Sequence, residues 1–198
     1  MTMVHSAEYW ERRYREGGSS GAGSYGRLAH FKADFVNALI ATHRIASVLD
    51  LGCGDGNLLS LLDVPGYVGA DVSPTALAEC SARFPQHRFV PYAALARLPP
   101  AELAMSLDVI YHLVEDAVFA DYLATLFGHA TRFVLIYSSN ADVYWPDDHV
   151  RHRRFTNHVA ATQPDWRLLS HVPNRFPYDP RQRDTTSFAD FFVFARPG

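Results

Sequence analysis

The sequence predicts an α/β fold in which strands and helices alternate around a mostly parallel sheet. Short apolar runs that end in polar or glycine-rich turns alternate with stretches whose apolar residues recur every three or four positions. Such alternation is typical of parallel strands joined by crossover helices. The 198 residues are 48% hydrophobic and 13% aromatic, which is sufficient for one compact domain with its own core.

We expect residues 1–44 to form an N-terminal helical cap or lid on a domain over residues 45–198. Aromatic and charged residues mix over Ser6–Arg15, which indicates a short helix. Residues 17–26 are rich in glycine and serine, as is typical of a flexible loop. Apolar residues at helical spacing predict a second helix over residues 30–43.

Residues 48–57 are the most informative stretch of the chain. An apolar run leads to Asp50, and glycines follow on alternate positions as Gly52, Gly54 and Gly56. Leucines at helical spacing come next, so the pattern predicts a strand, a tight glycine turn and a helix. Because glycine has no Cβ, the backbone of such a turn can approach a nucleotide-like ligand closely.

The details of this turn exclude the usual phosphate sites. Its glycines are spaced G-x-G-x-G, whereas the dinucleotide fingerprint is G-x-G-x-x-G, and the G-x-x-x-x-G-K-[ST] loop is absent. A carboxylate at Asp50 would repel a pyrophosphate, but it suits a cationic amino group, hydroxyls or backbone N–H groups. We therefore expect a nucleoside-like ligand without phosphates.

Residues 48–56, Val-Leu-Asp-Leu-Gly-Cys-Gly-Asp-Gly, resemble the first motif of class I S-adenosylmethionine-dependent methyltransferases, roughly V-L-D-L-G-C-G-x-G. The resemblance is to the small-molecule type and spans about residues 46–195. It implies a Rossmann-like, seven-stranded, mostly parallel sheet with helices on both faces and an antiparallel C-terminal strand. It also implies an enzyme that uses S-adenosylmethionine as its cofactor. Residues 138–162 fall outside the shared motifs.

The cofactor site is expected at the ends of the first four strands. Asp71 ends the second strand about twenty residues after the turn, where an acid binds ribose hydroxyls. Many family members have an acid after the third strand for the adenine amino group, but residues 92–96 contain none. We expect backbone and apolar contacts there instead. The predicted cofactor-binding residues are Asp50, Gly52, Cys53, Gly54, Gly56, Asn57, Asp71, Val72, Ala94, Leu95, Ser106 and Leu107.

Residues after the fourth strand should face the substrate, because ligands of open α/β sheets bind at the carboxyl ends of strands. Residues 106–116 resemble small-molecule methyltransferases that read roughly D-V-L-x-H-L-x-D here. His112 titrates near neutrality and can take a proton from the acceptor atom. The alternative is a histidine that only hydrogen-bonds backbone. We expect Asp108 to cap a helix or orient the cofactor rather than act as a base. The predicted catalytic residues are His112, Asp108 and Tyr111.

A basic cluster at residues 149–154 is the candidate substrate-binding site. Guanidinium groups bind carboxylate or phosphate in a bidentate manner, so the cluster favours an acidic substrate. The alternative is that these basic residues form a solvent-exposed surface whose charge balances that of Asp147 and Asp148. N-terminal tyrosines would contribute by closing over the site as part of a lid. The predicted substrate-binding residues are Tyr14, Tyr25, His149, Arg151, His152 and Arg153.

Composition limits the remaining classes of function. A net charge of −3 argues against a general nucleic-acid partner, and two cysteines give no disulfide framework. No apolar run approaches 18 residues, so we expect no membrane partner and a cytoplasmic protein. No zinc-ligand spacing appears, and the acids after the fourth and fifth strands are wrongly spaced for a metal-dependent site, so we expect no metal.

The sequence favours methyl transfer to oxygen or nitrogen of a small polar metabolite, with the basic cluster favouring an anionic one that carries carboxylate or phosphate. One alternative is methylation of a peptide or protein. Another is a catalytically inactive domain that binds the cofactor or a partner subunit. The substrate, the acceptor atom and the oligomeric state stay open at this point.

Overall fold

The computed structural model describes residues 6–197 and contains one seven-stranded sheet. Its strands are β1 Val48–Leu51, β2 Tyr67–Asp71, β3 Arg88–Pro91, β4 Ala101–Leu107, β5 Ala130–Ser138, β6 Arg167–Val172 and β7 Asp190–Ala195. The spatial order is β3-β2-β1-β4-β5-β7-β6. Strands β1 to β5 pair in parallel, and β7 runs antiparallel between β5 and β6. The predicted fold class is confirmed.

Helices cover both faces of this sheet. They are α1 Ser6–Arg15, α2 Gly26–His43, α3 Pro74–Arg83, α4 Asp116–Gly128 and α5 Phe155–Thr162. One core cluster packs α4 and α5 against the strands, and a second packs α2 against the opposite face. Within residues 6–197, no helix is long and apolar enough to cross a membrane.

The cap predicted over residues 1–44 is narrower in the structure. Helix α2 belongs to the sheet layers, because Ala29, Val36 and Ile40 are buried against strand residues in one core cluster. Only α1 and the loop that follows it lie over the ends of the strands. Residues 1–5 of the predicted cap lie outside the described residues.

The prediction of a helix after the glycine turn is wrong. The leucines form a single 3₁₀ turn, Leu59–Leu61, and the chain enters β2 at Tyr67. Pro65 and Gly66 leave too little chain for a full helix, while Leu58 and Leu59 already reach the core from this short turn. No α-helix N-terminus therefore points at the ligand from this turn.

The sheet order places a crevice beside β1. Its neighbour on one side is β2 and on the other is β4, so the direction of winding reverses at this strand. Such a switch point leaves an opening outside the carboxyl ends of the two strands, and ligands of open α/β sheets bind there. The fold thus places the expected ligand site beside the chain that follows Leu51 and the chain that follows Leu107.

Candidate active site

A cavity of about 480 Å³ lies at this switch point. Its walls come from α1, the glycine turn, the chain following β2, β3 and β4, and the first turns of α4. This volume falls within the range of about 300–1,000 Å³ typical of small-molecule sites. The cavity is thus large enough for a nucleoside-like ligand and the edge of a second small molecule.

The glycine turn requires glycine for two physical reasons. Gly52 and Gly54 have φ values of 87° and 57°, which side chains rarely adopt. A Cβ on Gly52 would also lie 2.5 Å from Val109 Cγ2. The backbone N–H of Gly54 donates to Asp71 Oδ2 at 2.9 Å. The turn is therefore fixed with its backbone at the cavity wall.

Two buried carboxyl groups face the cavity beside this turn. Asp50 Oδ2 accepts a hydrogen bond from the Tyr67 hydroxyl at 2.8 Å, and burial raises the pKa of Asp50 to about 7. Burial also raises the pKa of Asp71, which accepts from the N–H groups of Gly54 and Ser73 at 2.9 Å each. Both groups favour a cationic or hydroxyl-rich ligand.

A third acid lies at the far end of the cavity, where sequence analysis found none. Tyr92, directly after β3, donates from its hydroxyl to Asp121 Oδ2 at 2.9 Å, and both residues line the cavity. Asp121 comes from α4, one turn after Ala117, so a sequence signal existed: an acid in the interior of a largely apolar helix.

The ring of His112 borders the cavity in the neutral form. Its Nδ1 lies 3.0 Å from the carbonyl oxygen of His149, so Nδ1 carries the proton and Nε2 a free lone pair. Burial lowers the pKa of His112 to about 4, and Trp10 packs edge-on against the ring. The hydrogen bond to the backbone therefore occupies Nδ1 and leaves Nε2 available to accept a proton.

Asp108 is held by two side chains and caps no helix. Its backbone is left-handed, with φ 62°, and its Oδ1 accepts from the Tyr111 hydroxyl at 2.8 Å. Its Oδ2 accepts from Lys32 Nζ. Lys32 and Asp108 line the cavity, whereas Tyr111 is buried behind them. Lys32 was missed, although a lysine on the apolar face of a predicted helix is a detectable signal.

Several predicted cofactor residues support the cavity wall from behind. Gly56 packs against Cys80 and Phe84, and Ser106 Oγ lies 2.8 Å from the Tyr122 hydroxyl in the core. Asn57 donates to the carbonyl of Ser24. The predicted cofactor residues that line the cavity are Asp50, Gly52, Cys53, Gly54, Asp71, Val72 and Leu107, and those that do not are Gly56, Asn57, Ala94, Leu95 and Ser106.

The basic cluster lies outside the cavity. Arg151 and Arg153 pair with Asp116 at 3.1 and 3.0 Å and donate to the carbonyls of Val114 and Leu113, just before α4. His149 stacks on the ring of Tyr9, and His152 is buried with Nδ1 2.6 Å from Ser139 Oγ. The structure therefore does not bring His149, Arg151, His152 and Arg153 together at a ligand; they fasten this segment to the protein.

Helix α1 covers the cavity and is fastened at its first residue and near its middle. Glu11 accepts from the hydroxyls of Ser73 and Thr75 at 2.6 and 2.8 Å, beside the ribose-type acid. The N–H of Ser6 donates to Glu115 Oε1 at 3.1 Å, across the cavity. Of the two predicted tyrosines, Tyr14 lines the cavity, whereas Tyr25 donates to Asp55 outside it.

Comparisons with known proteins agree with this geometry. No protein-family model matches the chain. Over 113 residues it is 34% identical to trans-aconitate 2-methyltransferase of Klebsiella pneumoniae; the match covers 55% of this chain but only 42% of that protein. The chain therefore matches less than half the length of this curated relative.

Solved structures match over nearly the whole chain. Magnesium protoporphyrin IX methyltransferase of Synechocystis, with bound S-adenosylhomocysteine, has a TM-score of 0.67 at 16% identity, covering 96% of this chain and 98% of that one. The N-methyltransferase NodS of Bradyrhizobium japonicum, with the same ligand, has a TM-score of 0.69 at 11% identity, covering 98% and 100%. The small RNA methyltransferase HEN1 has a TM-score of 0.64 at 14% identity, covering 88% and 26%.

These matches bear on the predicted methyltransferase resemblance. The curated relative is a methyltransferase, and two of the structural neighbours hold S-adenosylhomocysteine, the demethylated form of the expected cofactor. The resemblance is confirmed: the chain has the class I S-adenosylmethionine-dependent methyltransferase fold.

Proposed function

We propose that the protein transfers a methyl group from S-adenosylmethionine to an oxygen or nitrogen atom of a small polar metabolite. The observation that carries the proposal is the cavity itself. It joins a glycine turn unsuited to phosphate, two buried carboxyl groups and the neutral His112 in one space of about 480 Å³. A sulfonium cofactor is cationic and free of phosphate, so it suits this lining.

The order of the strands supports one orientation of the cofactor. Moving from β1 to β2 to β3, the cavity presents Asp50 and the turn, then Asp71, then Tyr92 with Asp121. The amino acid part would lie at the turn, the ribose at Asp71 and the adenine at Asp121, whose carboxylate suits the adenine amino group. The sulfonium methyl would then face the side of β4, towards His112.

The reaction in this arrangement is a direct displacement. A lone pair of the acceptor forms a bond to the methyl carbon while the carbon–sulfur bond breaks, and its electron pair goes to sulfur to give S-adenosylhomocysteine. If the acceptor is a hydroxyl or an amine, its proton passes to His112 Nε2. The protein contributes alignment, exclusion of water by α1 and this proton acceptor.

The closed cover favours a small acceptor over a macromolecule. Helix α1 lies across the cavity and is bonded to Glu115 on one side and to Ser73 on the other, so a peptide or nucleic acid strand would have to displace it. The net charge of −3 points the same way, although one structural neighbour is a small RNA methyltransferase. The cytoplasmic location remains a prediction.

Calorimetric titration with S-adenosylhomocysteine tests this function, with NAD as the comparison ligand. We expect saturable 1:1 binding of the first and none of the second. The G54V variant, which blocks the turn, should lose binding if it keeps its circular dichroism spectrum. A folded wild-type protein that binds neither S-adenosylhomocysteine nor S-adenosylmethionine would exclude the proposed enzyme. Cofactor binding without methyl transfer to any small molecule would favour a non-catalytic binding domain.

A further inference from the structure

Lys32 is the only lysine of the chain, and it is buried beside the substrate end of the cavity. Its side chain is 1% exposed. Its neighbours on that face of α2, Leu28, Ala29 and Val36, are buried and apolar. Lysine is almost never fully buried unless its charge is paired, because removing an ammonium group from water is costly. Its position therefore calls for specific anionic partners.

The hydrogen bonds of Lys32 are incomplete. An ammonium group has three N–H donors, and among residues 6–197 its one hydrogen-bond acceptor is Asp108 Oδ2. The ring of Tyr137 lies 5.5 Å from Nζ and adds a cation–π contact. Asp108, by contrast, already accepts one hydrogen bond on each oxygen, from Lys32 and from Tyr111. The ammonium group thus has donors left for a ligand in the cavity.

Charge around the cavity identifies the ligand chemistry. The other charged side chains that line it in the described part of the chain are acids, and Asp50, Asp71 and Asp121 belong to the proposed cofactor end. Lys32 is the one cation of the lining, so an anionic oxygen would be held there. A doubly charged phosphate would face the carboxylate of Asp108 at close range. A singly charged, planar carboxylate is repelled less and still supplies two acceptor oxygens.

We infer that Lys32 binds a carboxylate of the methyl acceptor and makes the enzyme selective for carboxylic acids. This inference rests on the proposed function, since it concerns the second substrate of the same cavity. It replaces the basic cluster at residues 149–154, which does not line the cavity, as the anionic-substrate site. The carboxylate anchors the acceptor, whichever of its atoms takes the methyl group.

The test compares carboxylic acids with their own amides as acceptors. Protein whose binding of S-adenosylhomocysteine has been verified is given methyl-labelled S-adenosylmethionine and a panel of small acids paired with their primary amides. Trans-aconitate and its triamide belong in the panel because a curated relative is a trans-aconitate methyltransferase. For each pair, the ratio of kcat/KM for the acid to that for the amide is measured.

Two variants isolate the ammonium group without leaving the Asp108 carboxylate unpaired. K32M alone would strand the Asp108 carboxylate and risk unfolding, so the variants are D108N and K32M/D108N, which differ only in Lys32. We expect wild type and D108N to prefer acids at least tenfold, mainly through KM, and K32M/D108N to lose that preference. Circular dichroism and binding of S-adenosylhomocysteine confirm that each variant is folded.

The outcomes separate this inference from the proposed function. Labelling of amides as well as acids, an acid preference that survives in K32M/D108N, or no acid in the panel accepting label would each overturn the carboxylate site, while cofactor binding stands. Failure of the wild-type protein to bind S-adenosylhomocysteine would overturn both.

Discussion

Asp50 couples the proposed cofactor site to pH. Burial raises its pKa to about 7, so the carboxyl group of the free protein is protonated in weak acid and ionises as the pH rises through neutrality. Only the ionised form attracts the cofactor's amino group. We expect affinity for S-adenosylhomocysteine to rise by up to about tenfold per pH unit below 7 and to level off above it.

Calorimetry at several pH values checks this dependence on Asp50. The D50N variant, uncharged throughout, should bind more weakly and without the same rise. Equal pH dependence in D50N and wild type would show that another group is responsible.

The lowered pKa of His112 predicts a different pH dependence from that of Asp50. Its pKa is lowered to about 4, so the neutral, proton-accepting form persists from neutral pH down to about pH 4. At saturating cofactor, kcat should therefore fall only as the pH approaches 4, and H112A should lower kcat about a hundredfold or more for a hydroxyl or amine acceptor. An acid limb near 6.5 in kcat, or an H112A variant with unchanged kcat, would remove His112 from proton transfer.

Single residues are also where the sequence was least informative. The glycines, Asp50 and Asp71 could be identified because a contiguous motif carries them. Lys32 and Asp121 lie on helices whose apolar spacing predicts core, and their partners Asp108 and Tyr92 are 76 and 29 residues away. Nothing in local sequence spacing connects such pairs, so their roles emerge only from packing.

At the scale of elements, the glycine turn should be sensitive to a single methyl group. G52A places a Cβ at a φ of 87° and 2.5 Å from Val109 Cγ2. We expect a loss of about 2–4 kcal/mol in the free energy of unfolding, from backbone strain and overpacking together. Urea denaturation measures it.

Two further variants separate the causes of that loss. G52A/V109A should relieve the clash but retain the strained backbone. G128A is the matched control, because its φ is not positive and no atom lies within 4 Å of the new Cβ, so its stability should be unchanged or slightly higher. A G52A variant as stable as G128A would contradict the described turn.

The fastening of α1 gives a prediction for dynamics. Glu11 joins α1 to the hydroxyls of Ser73 and Thr75 at the start of α3. E11A should speed amide hydrogen exchange in α1 while exchange in α4 stays as in wild type. The control is E8A, at an exposed position of the same helix. If E8A and E11A exchange alike, Glu11 does not hold the cover in place.

The sequence predicted the presence of helices and strands better than it predicted their lengths. Periodicity predicted the helix over residues 30–43, observed as α2 Gly26–His43, because burial against a sheet enforces that spacing. It failed after the glycine turn, where the leucines form one 3₁₀ turn, Leu59–Leu61. There the apolar positions are fixed by the short distance to β2, and Pro65 with Gly66 ends the element before a helix can form.

At the scale of the whole molecule, alternation of strands and helices was sufficient to predict the sheet, and the sheet order then determines where the cavity lies. Charge density was a poorer guide. The basic cluster at residues 149–154 carries strong local charge, but in the fold it lies outside the cavity, and Arg151 and Arg153 pair with Asp116, more than thirty positions earlier in the chain. Charge along the chain predicts a ligand only when the fold brings that charge to the cavity.

A crystal structure of the complex with S-adenosylhomocysteine tests the central claim most directly. We predict the ligand in this cavity, with its amino group at Asp50, its ribose at Asp71, its adenine beside Tyr92 and Asp121, and its sulfur facing the space between His112 and Lys32. A ligand bound elsewhere, or a sulfur atom facing away from both side chains, would contradict the account.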